Sequence, residues 1–320
     1  MADPAATTPA PVLVALEGGP SIVASVVDSL ASEDAASSLG PGTTDPISSR
    51  PVNEPAPAPR PGSRTLGDPL GEALRLIALG DRLGIELRLM GGLAFHAACP
   101  SWTARIDREG RDMDLATRSR DRKAVQTLLA DEGYVPDRQY NALYGHKQLY
   151  FVDPEWKRPV DVLVDRLEMC HTFDFADRLS ICDPTLPPAE LVLSKLQVVK
   201  INRKDVLDAL ALLAEYPLAG DDVAGRAISL SRITRLTSSD WGWWRTVTGN
   251  LDKLDEFIAN ELAPGDLDFG RESRFDPRAQ VAELRTAIDQ TSKSARWKVR
   301  ARIGERVPWY QEPEEVGHGR

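Results

Sequence analysis

The chain has 320 residues, 42% hydrophobic and 27% charged, which suits a soluble protein of two domains or of one domain with tails. Its net charge of −9 excludes a mainly electrostatic grip on nucleic acid and leaves room only for a local basic patch. Cys99, Cys170 and Cys182 are too few and too scattered for a disulfide framework, and no apolar run nears the roughly 20 residues of a membrane helix. Asp3 and Glu17 stand where a signal peptide would carry basic residues, so a cytoplasmic protein with no membrane association is expected.

Residues 1–66 hold 11 of the 24 prolines and no aromatic residue, so they cannot bury enough apolar surface to offset their ordering entropy. A disordered tail is expected there, with small apolar islands at 12–16 and 22–30. Order should begin near Pro69, where Leu70, Leu74, Ile77 and Ala78 follow helical spacing and Gly80 and Gly84 mark the end. Residues 86–90 then read as a strand running into Gly91-Gly92, and 93–98 as a helix. A polar loop at 100–111 carries Trp102 as an anchor. Residues 112–117 read as a strand, 121–132 as a helix, and 147–152 and 159–165 as two strands joined by the Asp153-Pro-Glu-Trp turn, with a further short strand at 179–182. This alternation gives a small mixed α/β unit over 67–186.

From Pro187-Pro188 the pattern becomes helical. Leu191, Ser194, Lys195, Val198 and Val199 carry one helix, and Val206, Leu210 and Leu213 share a face of a second over 202–216. Further helical stretches fall at 221–236, 240–262 and 278–303, so 187–320 reads as an all-helical C-terminal domain. The expected class is therefore α+β, a small mixed sheet with helices followed by a helical domain.

Three short motifs carry chemistry. In Asp112-Met-Asp114 the two acids share a strand face, because successive side chains alternate. In Pro159-Val-Asp-Val-Leu-Val-Asp165 the valines share one face and leave Asp161 on the other; Asp165 faces the same way, as a supporting acid or the strand end. An aspartate inside an apolar strand demands a partner or a cation. Gly91-Gly92 is by itself a strand-to-helix turn, but the amides of the following helix are placed to bind phosphate. Asp112-Met-Asp114 alone also fits a solvated surface strand. A haloacid-dehalogenase-type phosphatase would place the motif after a buried apolar strand, whereas here Asp107-Arg-Glu-Gly-Arg111 precedes it. A GT-A glycosyltransferase would place it after a longer Rossmann-like half. Converging carboxylates repel one another unless a cation lies between them, and oxygen-only ligands suit Mg²⁺.

Taken in order, Gly91-Gly-Leu-Ala-Phe, Arg111-Asp-Met-Asp-Leu115, Val160-Asp-Val-Leu-Val164 and Pro188-Ala-Glu-Leu-Val-Leu-Ser-Lys195, followed by Arg203-Lys-Asp205 and Asp208, resemble the polymerase-β-type nucleotidyltransferase superfamily. The resemblance covers roughly residues 70–216, about half of the chain, and is nearest to the branch of AbiEii-type toxins and lincosamide-type nucleotidyltransferases. It implies an enzyme in which Asp112 and Asp114 hold two Mg²⁺ ions on an NTP triphosphate and Asp161 completes the site as metal ligand or general base. It also implies that the Gly91 and Gly92 amides and Lys195 contact the triphosphate, with Lys204 and Asp205 alongside in the nucleotide site. The implied reaction moves a nucleoside monophosphate to a hydroxyl of tRNA, a protein or a small-molecule alcohol, in a toxic, protective or metabolic setting. Two other readings stay open: a catalytically silent nucleotide-binding or toxin–antitoxin module, and a metal-dependent phosphoester hydrolase.

Two features lie outside these motifs. Asp240-Trp-Gly-Trp-Trp-Arg245 puts Trp241 and Trp244 on one helical face, read as packing or as a stacking platform for an acceptor ring. Residues 293–306 are basic, read as a solvated helix face or as a tRNA-facing one. Cys170-His171 beside Cys182 gives at most a weak metal signal.

Overall fold

An aspartate followed by a proline starts the first helix. Asp68 accepts a hydrogen bond from the Gly71 amide, and Pro69 sits where its missing N–H costs nothing, so α1 runs Pro69–Arg82. The computed structural model describes residues 64–103, 112–261 and 274–312, all of them within the unit Glu54–Arg320. The tail and islands read from the sequence before residue 64, and the loop at 262–273, lie outside the described residues.

After α1 come β1 (Leu87–Met90), α2 (Gly91–Ala98), a short α3 (Pro100–Thr103) and β2 (Met113–Thr117). Then follow α4 (Arg122–Asp131), β3 (Val135–Pro136), α5 (Arg138–Tyr144), β4 (Gln148–Asp153) and β5 (Arg158–Val164). The five strands form one mixed sheet in the order β1-β2-β5-β4-β3, in which only the β2–β5 pair is parallel. One face is the core. Leu87, Leu89, Met113, Leu115, Val160, Val162, Leu149 and Phe151 are each at most 1% exposed. The register runs Leu89, Leu115, Val162, Leu149 straight across four strands. The opposite face carries Asp114, Asp161 and Tyr150 in one such row, and all three are only half-buried. Trp102, expected as a loop anchor, is 2% exposed within α3.

Both edges of the sheet are blunt. β3 is two residues long and ends in Pro136, and on the far side the Leu89 amide and carbonyl are taken by Pro184 and Leu186. A small hairpin, β6 (Arg166–Glu168) and β7 (Thr172–Asp174), follows β5. The strand expected at 179–182 does not form. The backbone there turns instead, and the Arg88 Nε donates to the carbonyls of Leu179 and Cys182, leaving them unavailable to a ladder.

The second half is helical, as its sequence pattern demands. α6 (Pro188–Leu196) packs on α7 (Arg203–Glu215), where Asn202 caps the first turn by accepting from the Asp205 amide. α6 stops before Val198 and Val199, because the Asn250 amide group donates to the carbonyls of Leu196 and Val198. The helix expected at 221–236 starts only at Leu230. Ahead of it Val223, Ala224 and Gly225 have positive φ, and β8 (Leu218–Ala219) pairs with β9 (Ile228–Ser229). Ser229 then caps α8 (Leu230–Ser239), and Asp240 caps α9 (Trp241–Asn260). The single helix expected over 278–303 is two, α10 (Pro277–Gln290) and α11 (Ala295–Ile303), because Ser294 caps a new start by accepting from the Trp297 amide.

Candidate active site

The sheet brings the aspartates together from two neighbouring strands. Asp114 of β2 is the register partner of Asp161 of β5, so their side chains leave the same face side by side. Asp112 lies just before the first residue of β2 and is exposed. Burial raises the Asp114 carboxyl from its usual range to about 7, and the negative charges of Asp161 and then Asp112 add to the rise, with Lys195 opposing. Asp114 makes no hydrogen bond or ion pair to another described residue.

Gly91 is fixed by this arrangement. Its φ is +60°, and a Cβ built there would overlap the Asp114 Oδ2 and stand 2.6 Å from its Cγ. Two separate demands, a left-handed backbone and a bare Cα against a carboxylate, thus meet at one residue. Gly92 is the second residue of α2, a helix whose first turn has no side-chain cap. The leading amides of α2 are the group that could meet an anion.

The wall opposite is built by α2, α6 and α7. Lys195 of α6 lies 4.9 Å over the ring of Phe95 of α2, and its Nζ is 2.7 Å from Asp205 Oδ1 and 2.9 Å from Asp208 Oδ2. The lysine is therefore held between two carboxylates of α7. Lys204 is exposed on the first turn of that helix, with Asp205 half-buried next to it.

Four contributors carried no assigned role in the sequence. Asp208 is 2% exposed and completes the clamp on Lys195; its spacing of three from Asp205 on one helix was the available signal. Gln148 of β4 donates its amide to Asp161 Oδ1. Tyr150 faces Asp161 directly across β4–β5, and Tyr140 of α5 stacks edge-on against it at 6.1 Å. Burial raises the phenols of both tyrosines, with Asp161 the next cause. Asp165, by contrast, sits past the end of β5 at φ 64° and accepts from the Ser119 amide, which makes it a strand terminator.

Among the described residues no three His, Cys, Asp or Glu side chains are grouped as a ready metal site. The weak Cys170-His171-Cys182 signal therefore gains no support. Asp112, Asp114 and Asp161 are not grouped as a ready site either, but their donor chemistry suits a hard cation, since all donors are oxygen and burial, reinforced by the charges of Asp161 and Asp112, disfavours the Asp114 anion.

No protein-family model matches the sequence, and no curated protein does. Two solved structures are distantly similar. A lincomycin-bound lincosamide antibiotic adenylyltransferase, LnuA, aligns over 43% of this chain and 92% of its own at 15% identity and a TM-score of 0.32. A STING-associated CdnE c-di-GMP synthase from Capnocytophaga granulosa aligns over 69% of this chain and 78% of its own at 13% identity and a TM-score of 0.21. Among the described residues no helix is long and apolar enough to cross a membrane.

Proposed function

We propose that the protein is a nucleotidyltransferase, moving a nucleoside monophosphate from an NTP to an acceptor hydroxyl with release of pyrophosphate. The observation that carries this reading is the register pairing of Asp114 with Asp161, closed at one end by a glycine that no other residue can replace.

Asp112, Asp114 and Asp161 would hold Mg²⁺, as two ions in the arrangement the motifs resemble. When bound, it would neutralise the triphosphate and the pyrophosphate that leaves. The protein's own residues account for the rest. The Gly91 turn brings the amides of α2 up to the phosphates without a side chain in the way. Lys195 supplies a compact positive charge, and Asp205 and Asp208 fix where it points. Lys204 lies one residue from this clamp and faces solvent, placed to meet the outer part of the nucleotide. The acceptor oxygen attacks the α-phosphorus, the bond to the β-phosphate bridging oxygen breaks, and the acceptor proton passes to Asp161 and then to water. Gln148 orients the Asp161 carboxylate for this through its hydrogen bond.

The acceptor lies on the side of Tyr150 and Tyr140, which flank Asp161 away from Asp114. An AbiEii-like toxin is one setting for this reaction, with tRNA, a protein hydroxyl or a small-molecule alcohol as the acceptor. The test is pyrophosphate release from each of the four labelled NTPs with Mg²⁺, given total tRNA, candidate proteins or lincosamide-like alcohols. Labelled acceptor with free pyrophosphate supports the assignment. Inorganic phosphate in place of pyrophosphate makes the protein a phosphoester hydrolase, NTP binding without turnover makes it a silent nucleotide-binding module, and no NTP binding under any metal condition overturns the enzyme reading.

A further inference from the structure

The tryptophan cluster at 241–244 and the basic stretch at 293–306 are far apart in sequence, and neither takes part in the aspartate site. The structure joins them. A cavity of about 440 Å³ lies between the start of α9, helix α11, the β6–β7 turn and the segment Pro308 to Gln311, and it shares no residue with the aspartate face. Its walls include Trp241, Trp297, Trp309 and Tyr310, with Arg296 and Arg300 among them. The volume falls in the range of small-ligand sites and suits one nucleotide.

The two arginines have different tasks. Arg300 is committed to the fold: its guanidinium lies 4.7 Å over the Trp241 ring and donates to the carbonyls of Gly304, Val307 and Pro308. It thereby holds the C-terminal segment as one wall, which the Gln311 amide fastens to the Cys170 carbonyl. Arg296, one helical turn earlier, is exposed and makes no ion pair with a described residue. The indoles also divide. Trp309 donates its Nε1–H to Thr246, whereas the Trp297 Nε1 is buried without an acceptor. The cavity thus offers aromatic side chains and a guanidinium with no described partner. The lining holds one carboxylate, Asp240, against two guanidinium groups; its Oδ1 accepts from the amides of Gly242 and Trp243, and the lining histidine, His171, is buried and hydrogen-bonded to Thr246. Burial holds that histidine neutral, with a value of about 4.

We infer that this cavity is a second nucleotide-binding site, in which a base stacks among the aromatic side chains while Arg296 meets its phosphate. The ligand chemistry is a planar base with a phosphate, either as a free nucleotide or as an unpaired residue of an RNA strand. Aromatic stacking with one or two cations is how unpaired nucleotides are held. The net charge of −9 keeps polyanions from adhering elsewhere, so binding should depend on stacking, with a log–log salt slope of only about −0.7 for one phosphate. The inference does not depend on the transferase reading.

Five of the seven tryptophans, at 241, 243, 244, 297 and 309, cluster around this cavity, so intrinsic fluorescence reports on it directly. The full-length protein would be titrated in EDTA, which leaves the aspartate face repelling phosphate, with each of the four ribonucleoside monophosphates, single-stranded tetraribonucleotides and blunt duplex RNA. Saturable quenching by the monophosphates or the tetramers, and none by the duplex, is expected. A tetramer that binds at least tenfold tighter than its monomer identifies an RNA strand, and equal affinities identify a free nucleotide. Arg296→Glu, at an exposed position that leaves the thermal midpoint unchanged, should weaken binding about tenfold. No saturable quenching, unchanged affinity in Arg296→Glu, or quenching that appears only with Mg²⁺ would each overturn the inference.

Discussion

The molecule treats its acids in two opposite ways. Glu190 of α6 is 0% exposed, and its carboxylate is gripped by Arg178 at 2.8 Å and by Arg232 at 2.8 Å. Glu72 of α1 is equally buried and receives Arg75, the Tyr134 hydroxyl and the Leu66 amide. Asp114 has like charges for neighbours instead: Asp161 beside it in register and Asp112 just before it. A chain that supplies arginines to Glu72 and Glu190 but none among the described residues to Asp114 leaves that site to be neutralised from outside. Removing water from an unpaired charge costs several kcal/mol, so such an arrangement persists only where something else stabilises it.

The contrast can be broken in measurable ways. If Asp161 serves transfer, Asp161→Asn should lower pyrophosphate release on the order of 10³-fold while leaving the thermal midpoint in place. If Glu190 serves the fold, Glu190→Ala should cost about 3 kcal/mol in urea unfolding, because two guanidinium groups lose the buried carboxylate they share, Arg178 keeping Asp222 and Arg232 the Asp174 carbonyl. An equal loss of stability in both variants would erase the distinction. Gly91→Ala tests the contact between turn and carboxylate. It should cost about 2 kcal/mol from the left-handed backbone alone and abolish NTP binding in a thermal-shift assay, since the added methyl overlaps Asp114.

Two pH effects of opposite sign sharpen the comparison further. The folded value of His171 is about 4, below its ordinary 6.5, so between these limits only the unfolded chain binds the proton. Stability should therefore fall as pH drops from 6.5 towards 4, by up to roughly 3 kcal/mol, and His171→Gln should flatten that slope. The Asp114 carboxyl, raised from 3.8 to about 7, works the other way. Its folded form keeps a proton that the unfolded chain has released, so stability is lost as pH rises through 4–7. Asp114→Asn should be neutral at pH 4 and stabilise the metal-free protein by about 1 kcal/mol at pH 8, solvent screening at this half-buried position reducing the effect.

The strands that carry the aspartates were legible because alternation is a local signal: Val160, Val162 and Val164 against Asp161 can be read from seven letters. What escaped was set by partners distant in sequence. Nothing around residues 179–182 announces that Arg88 will take two of their carbonyls. Nothing in Asp221-Asp-Val-Ala-Gly225 signals positive φ at a valine and an alanine, which a β-branched residue rarely accepts. The segment from Val135 to Tyr144 is polar and short, and α5 became visible only through its contact with β4. Lys195 stands out on its own helix, but its clamp belongs to the next one, and the split of 278–303 turned on one capping serine.

The blunt edges of the sheet bear on assembly. An exposed strand edge invites pairing with another copy, and this sheet offers none of useful length: one side ends in a strand of two residues, the second a proline, and the other is sealed by Pro184 and Leu186. Strand exchange and fibril-like stacking through this sheet are thereby discouraged. Pairing along the sheet is closed off at both edges, while Asp114 and Asp161 on its face stay only half-buried.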